Sequence, residues 1–138
     1  QILRRNLTGE IHQNIQAIVK PEQIIQARSA EKKIYLDERI ENYILDIVIA
    51  SRNPEAAKLG SIKHLITYGA SPRATIFLAQ ASKAQAFLNR RGFVIPDDVR
   101  NVCKDVLRHR IGLSYEAEAE NISQEEIIHQ ILNTIQVP

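Results

Sequence analysis

Apolar residues recur at three- and four-residue spacing in four stretches of the chain. This period is typical of helices that bury one face against a core. Each stretch therefore predicts an amphipathic helix. In chain order, the predicted buried faces are Ile40, Tyr43, Ile44, Ile47 and Val48; Ala74, Phe77, Leu78, Ala81, Ala84 and Leu88; Val99, Val102, Cys103, Val106 and Leu107; and Ile128, Ile131, Leu132 and Ile135.

Start and stop signals bound these helices. Asp37 is placed to cap the first of them, and Asn53-Pro54 stops it. Pro96 opens the third helix with two aspartates in the first turn, where the helix dipole favours negative charge, and this helix closes near His109. A capping box of the S-x-x-E form begins the fourth helix at Ser123.

The second of these helices has an unusual start. Ser71 is the predicted N-cap, Pro72 the first helical residue and Arg73 the second, and Gly92 is predicted just past the C-terminal end. A helix N-terminus already carries positive potential, so a cation there is unfavourable. Arg73 either forms an anion-binding corner with the free N–H groups of that turn, or is an exposed arginine tolerated at a penalty of about 0.3–1 kcal/mol.

Shorter signals complete the pattern. A helix is predicted from Pro21 to about Lys33, and a helical turn near residues 62–66. Three β-prone pieces lie between helices, and we expect the first two to pair into a small sheet at one end of the bundle. The pieces are Ile34-Tyr35-Leu36, Phe93-Val94-Ile95 and Ile111-Gly112-Leu113. The sequence thus predicts an all-α domain, a small helical bundle with minor short β pieces.

The first residues lack a sustained period. Residues 1–20 are predicted to be a linker, with a short strand at Gln16 to Val19, and residues 21–138 to be the helical domain. Because the sequence contains no methionine, we expect it to be an excised piece of a longer polypeptide.

Charge restricts the classes of partner. The net charge of +2 is far from the strong basicity of a dedicated nucleic-acid-binding module. Arg90-Arg91 and Arg108-His109-Arg110 are nonetheless basic, and residues 116–126 are acidic, as in either solvated surfaces or docking surfaces. No apolar run approaches the roughly 20 residues of a membrane helix and no signal peptide is evident, so we expect no membrane span and a cytoplasmic protein.

Chemistry-bearing motifs are absent from the sequence. No glycine is followed by the Lys-Ser or Lys-Thr of a phosphate-binding loop, so the chain lacks this kind of nucleotide cradle. The histidines lie far apart, and the single cysteine, Cys103, falls on a predicted buried face. We therefore expect no metal site and a thiol that acts as a small hydrophobe. The sequence also shows no nucleophilic side chain paired with a general base, so the chain alone is not predicted to be an enzyme.

Three strings carry a family resemblance, namely Gly69-Ala70-Ser71-Pro72-Arg73-Ala74, Phe93-Val94-Ile95-Pro96-Asp97-Asp98-Val99 and Val106-Leu107-Arg108-His109-Arg110-Ile111. In order and spacing they resemble the C-terminal lid of the MoxR family of AAA+ ATPases. The resemblance runs from about Tyr35 to Pro138, and residues 4–10 resemble the connection from the ATPase core. Two features depart from the family pattern: Ile95 replaces the common threonine or serine cap, and the loop at residues 53–68 is longer than in many members.

The resemblance implies a role for Arg73 as the sensor 2 arginine. Such a residue reaches the terminal phosphate of ATP, which the core holds with Mg²⁺, in its own subunit or the next. Ser71 is then a structural cap or, alternatively, a direct phosphate contact. Arg108 and Arg110 contact the nucleotide or a neighbouring core, or they serve the C-terminal end of their helix. The segment alone is expected to bind no cofactor and to be inactive.

The resemblance also implies partners. They are the chain's own AAA+ core domain, neighbouring subunits of a hexameric ring, and von Willebrand factor A domain proteins, on which the complete ATPase would perform chaperone-like remodelling. Two other functions remain open from the residues alone. One is a small nucleic-acid-binding domain with Arg90, Arg91, Arg108 and Arg110 on phosphates, against which the near-neutral charge argues. The other is a protein-interaction bundle in which Arg73 has no ligand.

Overall fold

The computed structural model describes residues 16–138. The chain divides into two units, Gln1–Ala30 and Glu31–Pro138, and each is described by itself. Residues 1–15, most of the predicted linker and the string that resembles the core connection, lie outside the described residues. Residues 16–20 form neither helix nor strand, so the strand predicted at Gln16 to Val19 is wrong. An isolated extended segment has no ladder hydrogen bonds to stabilise it, and no described strand pairs with this one.

Helix α1 (Pro21–Glu31) belongs to the first unit except for its last residue, Glu31. It begins at the predicted proline and ends two residues before the predicted Lys33. Gln23 accepts a hydrogen bond from the backbone N–H of Lys20 through its side-chain Oε1 at 2.8 Å, which satisfies a donor at the helix start. No side chain of α1 is buried.

The second unit is a helical bundle, which confirms the all-α prediction. Its elements are α2 (Glu38–Arg52), a 3₁₀ helix (Gly60–Leu65), β1 (Ile66–Tyr68), α3 (Arg73–Leu88), α4 (Pro96–Leu107), β2 (Gly112–Leu113), α5 (Tyr115–Ala119) and α6 (Gln124–Thr134). No helix within residues 16–138 is both long and apolar enough to cross a membrane.

The core lies between α2, α3, α4 and α6. All five predicted apolar positions of α2 are buried, and so are Val99, Cys103 and Leu107 of α4. Ile128, Ile131 and Leu132 of α6 are buried as predicted, while Val102, Val106 and Ile135 are partly buried at the edge of the core. The helical period therefore locates the core correctly in three of the four long helices.

Helix α3 differs from its prediction. Its buried face is Ala74, Leu78, Ser82 and Ala86, whereas Phe77 is 43% and Leu88 73% exposed. Three of the four buried side chains are small, which favours close packing against α4. The Ser82 hydroxyl does not need a partner from another helix, because it donates to the carbonyl of Leu78 at 2.7 Å.

The short β pieces pair in two places. An isolated parallel bridge joins Tyr35 to Phe93, as the sequence predicts for these two pieces. The third piece instead forms β2 and pairs antiparallel with β1, which periodicity did not indicate. Within this pair Tyr68 lies over Gly112, and a Cβ on that glycine would lie 2.2 Å from the tyrosine ring. Ile66 was predicted in the helical turn, but it is the first residue of β1 and pairs with Leu113.

The helix ends test the predicted caps. Asp37 accepts a hydrogen bond from the N–H of Arg39 at 3.0 Å, and Ser123 forms the predicted capping box with Glu126. The C-terminal end of α3 is a correction: the helix ends at Leu88, and Arg90, not Gly92, has the left-handed conformation with φ of 57°.

Cys103 is fully buried in the core. Burial raises the pKa of its thiol to about 12, so the group is neutral at physiological pH and unreactive as a nucleophile. This confirms that Cys103 acts as a small hydrophobic residue.

Candidate anion-binding site

Arg73 is the first residue of α3 and its side chain is exposed. The residue before it, Pro72, occupies the cap position with helical dihedrals of −55° and −27°, and no side chain caps this helix. The predicted Ser71 N-cap is therefore wrong, because proline already continues the helical path and the turn closes through backbone carbonyls. Ser71 accepts from the N–H of Ala74 at 2.8 Å, and Pro72 accepts from the N–H of Thr75 at 3.2 Å, both through the main chain.

The backbone N–H and guanidinium of Arg73 are both available to a ligand. Among residues 16–138, neither group makes a hydrogen bond or an ion pair. The guanidinium offers five N–H donors in a planar fork, and the main chain adds one at the positive end of the helix. This arrangement suits an anion with several oxygens, such as a phosphate group.

The segment before Arg73 is held against the C-terminal turn of α2. A Cβ on Gly69 would lie 2.2 Å from the carbonyl oxygen of Ser51, so only glycine fits at this contact. The buried Ser51 hydroxyl accepts from the N–H of Ala70 at 3.0 Å and donates to the carbonyl of Val48 at 2.7 Å. Arg52 donates to the carbonyl of Ala70 at 3.2 Å. These contacts fix the backbone from which Arg73 extends.

Arg110 reaches α3 from the end of α4. Its Nε donates to the carbonyl of Val106 at 2.9 Å, in agreement with the predicted role at the C-terminal end of that helix. Its guanidinium carbon lies 4.6 Å from the centre of the Phe77 ring, which is within cation–π distance. Phe77 was predicted in the core, but it supports a cation at the surface.

Arg108 faces a different part of the molecule. Its guanidinium lies 3.5 Å from Asp105 and 3.5 Å from Glu125 of α6. Lys104 is also paired with Glu125, at 2.6 Å. The hydrogen bond from Lys104, together with that from Arg108, lowers the pKa of Glu125. The structure therefore brings Arg110 to α3 but directs Arg108 into an ion-pair network between α4 and α6.

A buried ion pair, which the sequence did not predict, joins Arg91 to Asp98. The carboxylate is 1% exposed and accepts from the Arg91 guanidinium through both oxygens, with Nη1 at 2.6 Å from Oδ2. It also accepts from the N–H of Ile95 at 3.0 Å, which is the contribution of the N3 side chain to a capping box; Ile95 has no side-chain acceptor to supply the reciprocal bond. Burial alone would raise the pKa of Asp98, but the Arg91 guanidinium and the Ile95 N–H hold it below its ordinary value.

The sequence analysis did not predict two contacts near this candidate site, that of Ser51 with Ala70 and that of Phe77 with Arg110. Ser51 occupies an ordinary position near a helix end, and only its contact with Ala70 reveals its role. Phe77 lies four residues after Arg73, a spacing that places both side chains on one face of α3, and this is the signal that could have identified it.

Known proteins are similar to this chain over most of its length. The family model of the AAA lid domain matches residues 61–131. The chain is 38% identical over 104 residues to Chaperone MoxR1 of Mycobacterium tuberculosis, covering 75% of this chain and 28% of that protein. It is 38% identical over 105 residues to Protein MoxR of Paracoccus denitrificans, covering 72% of this chain and 31% of that protein.

A solved structure matches almost the whole chain. A crystal structure of a Cytophaga hutchinsonii protein described as an ATPase is 39% identical in sequence, with a TM-score of 0.90, and the match covers 99% of this chain and 42% of that one. The chain thus spans less than half of the solved protein and 28% to 31% of the length of the two MoxR relatives.

Proposed function

Since the chain belongs to the AAA lid domain family, as the lid of a MoxR-type AAA+ ATPase, we propose that it supplies Arg73 as the sensor 2 arginine for ATP binding and hydrolysis. The observation that carries this proposal is the guanidinium itself. It is exposed at the start of α3, without a carboxylate partner among residues 16–138, on a backbone anchored to α2.

Electrostatics make Arg73 sensitive to the nucleotide. A unit charge about 4 Å from an opposite one gains roughly 4 kcal/mol at an effective dielectric constant of 20. The terminal phosphate is present in ATP and absent from ADP, so an arginine that contacts it distinguishes the two. Arginine keeps its charge at any physiological pH and matches phosphate oxygens with paired donors.

We propose that ATP and Mg²⁺ are held by the ATPase core, and that this chain contributes side chains to the phosphates only. Within the described part of the chain, no group of three or more histidine, cysteine, aspartate or glutamate side chains is placed to hold a metal ion. Arg73 is the residue with which this chain would act on the nucleotide, in its own subunit or the next. Ser71 stays a second candidate, because its side chain is exposed beside that arginine and caps nothing.

The partners follow from the same proposal. The lid, which we place at residues 21–138 after a linker at 1–20, would pack on its own core and on neighbouring subunits of a hexameric ring in the cytoplasm. The name Chaperone MoxR1 supports chaperone-like remodelling as the work of the complete ATPase. We propose von Willebrand factor A domain proteins as its partners.

The nucleic-acid alternative loses much of its proposed cationic surface. Arg91 is bound to Asp98, and Arg108 lies beside Asp105 and Glu125, so these guanidinium groups are already compensated. Binding to a nucleic-acid backbone needs cations that neutralise its phosphates and so displace the counterions condensed on them. No further observation within residues 16–138 favours this function.

The test is the substitution Arg73→Ala in the full-length ATPase. We expect the rate of ATP hydrolysis to fall at least about tenfold, though by less than the 10³–10⁵ of a single arginine finger if other cations share the phosphate. The melting temperature of the 138-residue chain should not fall, because the Arg73 side chain makes no hydrogen bond or ion pair within residues 16–138.

The matched control is Arg39→Ala. Arg39 also lies in the first turn of a helix and is 79% exposed, but it is paired with Asp37. Its loss should leave ATP hydrolysis unchanged. Equal hydrolysis by the Arg73→Ala variant and the unmodified enzyme would refute the sensor 2 assignment.

A further inference from the structure

A second arginine, Arg110, is held at the face of α3 that carries Arg73. Only its Nε is used in a hydrogen bond, to the carbonyl of Val106. Its two terminal nitrogens have no partner within residues 16–138. The guanidinium carbon lies over the Phe77 ring, 4.6 Å from the ring centre, and the two terminal nitrogens keep their N–H donors for a ligand.

Phe77 places this cation near the start of the helix. Residues four apart lie on one face of an α-helix, and helical side chains lean toward the N-terminus. The Phe77 ring therefore leans toward the turn that begins with Arg73. The ring is 43% exposed and belongs to no part of the buried core, so its surface position is explained by the cation that it carries.

We propose that Phe77 is a positioning residue, which holds Arg110 beside Arg73 so that both arginines bind the phosphate groups of the nucleotide. This proposal rests on the proposed function and extends it from one cation to two. A nucleoside triphosphate carries several negative charges along its phosphate chain, and two forked cations can bind oxygens on adjacent groups.

The charge pattern around the pair supports a polyanion as the ligand. Arg39, Arg91 and Arg108 each lie within ion-pair distance of a carboxylate. Arg73 and Arg110 have no such carboxylate among residues 16–138, a property that they share with Arg28, Arg52, Arg90 and Arg100. What distinguishes the two is that Phe77, which contacts Arg110, lies one helical turn from Arg73 on α3. Two cations held close together repel each other, and an anion with more than one charge removes this repulsion.

The test compares Phe77→Leu, which keeps apolar bulk without a π face, with Phe77→Tyr, which keeps the π face. In the full-length ATPase, Phe77→Leu should raise the KM for ATP about two- to fivefold with kcat changed by less than about twofold, because an exposed cation–π contact has this strength. Phe77→Tyr should retain the KM of the unmodified enzyme. The control Ile76→Ala removes a neighbouring exposed apolar side chain of α3 and should leave KM unchanged.

A double-mutant cycle with Arg110→Ala decides whether Phe77 acts through the arginine. We expect Phe77→Leu to have no further effect on KM once Arg110 is alanine. An unchanged KM in Phe77→Leu, or an equal increase with and without Arg110, would overturn the positioning role. Failure of the sensor 2 assignment is distinguished from failure of the positioning role by Arg73→Ala. If the assignment is wrong, that variant hydrolyses ATP at the unmodified rate, whatever the Phe77 variants show.

Discussion

At the scale of single residues, Asp98 holds the connection between α3 and α4. Its carboxylate accepts from Arg91 just after α3 and from the backbone of Ile95 just before α4. A buried carboxylate with several donors is stable only while it remains ionised and paired. The pair therefore contributes to the fold and is not available for ligand binding.

Substitution of this carboxylate should reduce stability in a pH-dependent way. Because the folded-state pKa of Asp98 lies below 3.8, its contribution is complete above about pH 4 and is lost as the pH falls through that lowered value. We expect Asp98→Asn to lower the free energy of unfolding by about 1.5–3 kcal/mol at pH 7, measured by urea denaturation. The difference from the unmodified chain should shrink in acid.

Asp97→Asn is the matched control, since Asp97 is exposed in the same helical turn. Its cost should be no more than the roughly 0.3–1 kcal/mol of a favourable helix-dipole contact. Equal losses in the two variants, or a loss in Asp98→Asn that is independent of pH, would contradict the role assigned to the buried pair.

At the scale of the elements, several turns close on left-handed residues that are not glycine. Lys58, Arg90 and Asn121 have φ values of 61°, 57° and 57°. After α3, the N–H of Arg91 returns to the carbonyl of Ala86 at 2.9 Å, which is the longer bond of a Schellman motif. Gly92 is not used for this turn, although its carbonyl accepts from the N–H of Tyr35.

Glycine at the left-handed position should stabilise the end of α3. The left-handed conformation costs an L-residue roughly 1–2 kcal/mol, and glycine avoids this cost. The net gain is smaller, because glycine loses more conformational entropy on folding than other residues do. We expect Arg90→Gly to raise the free energy of unfolding by about 0.5–1 kcal/mol, measured by thermal denaturation. Arg90→Ala removes the same charge without relieving the backbone, so an equal stability of the two variants would refute this explanation.

The elements also show how far sequence patterns extend. Buried faces of α2, α4 and α6 follow from the helical period, because their apolar residues have no function outside the core. In α3 the same period is misleading, since Phe77 supports a cation and Leu88 is exposed. Strand β1 could not be predicted, because its partner β2 lies more than forty residues away and local propensity does not report such pairing.

The candidate site was predicted only in part. Arg73 is identifiable from its unfavourable place at a helix start, which is a local property. The contact between Gly69 and Ser51 depends on how α2 packs, and it becomes visible only when both segments are placed.

At the scale of the second unit, Gly69 joins the site to the bundle. A Cβ at this position would meet backbone atoms of Ser51 and Arg52 at 2.2 to 2.7 Å, and backbone cannot yield as a flexible side chain does. We expect Gly69→Ala to lower the free energy of unfolding by about 1–3 kcal/mol, the usual cost of overpacking, measured by urea denaturation. It should also reduce ATP hydrolysis in the full-length enzyme, because Arg73 extends from the displaced segment.

Gly92→Ala provides the comparison. An added Cβ there has no heavy atom within 4 Å, so stability and hydrolysis should both stay close to those of the unmodified protein. Similar destabilisation by the two substitutions would indicate loss of glycine flexibility and not steric conflict at the α2 contact.

The Ser51 bridge has a mechanical consequence. The Ser51 hydroxyl, in the last turn of α2, accepts a hydrogen bond from the N–H of Ala70, and the neighbouring Arg52 donates one to the carbonyl of Ala70. Three residues later the chain enters a sixteen-residue helix packed on α4. A force that a ligand exerts on the Arg73 guanidinium would therefore be transmitted to α2 and α3 together, because the short segment between them is fixed by these hydrogen bonds.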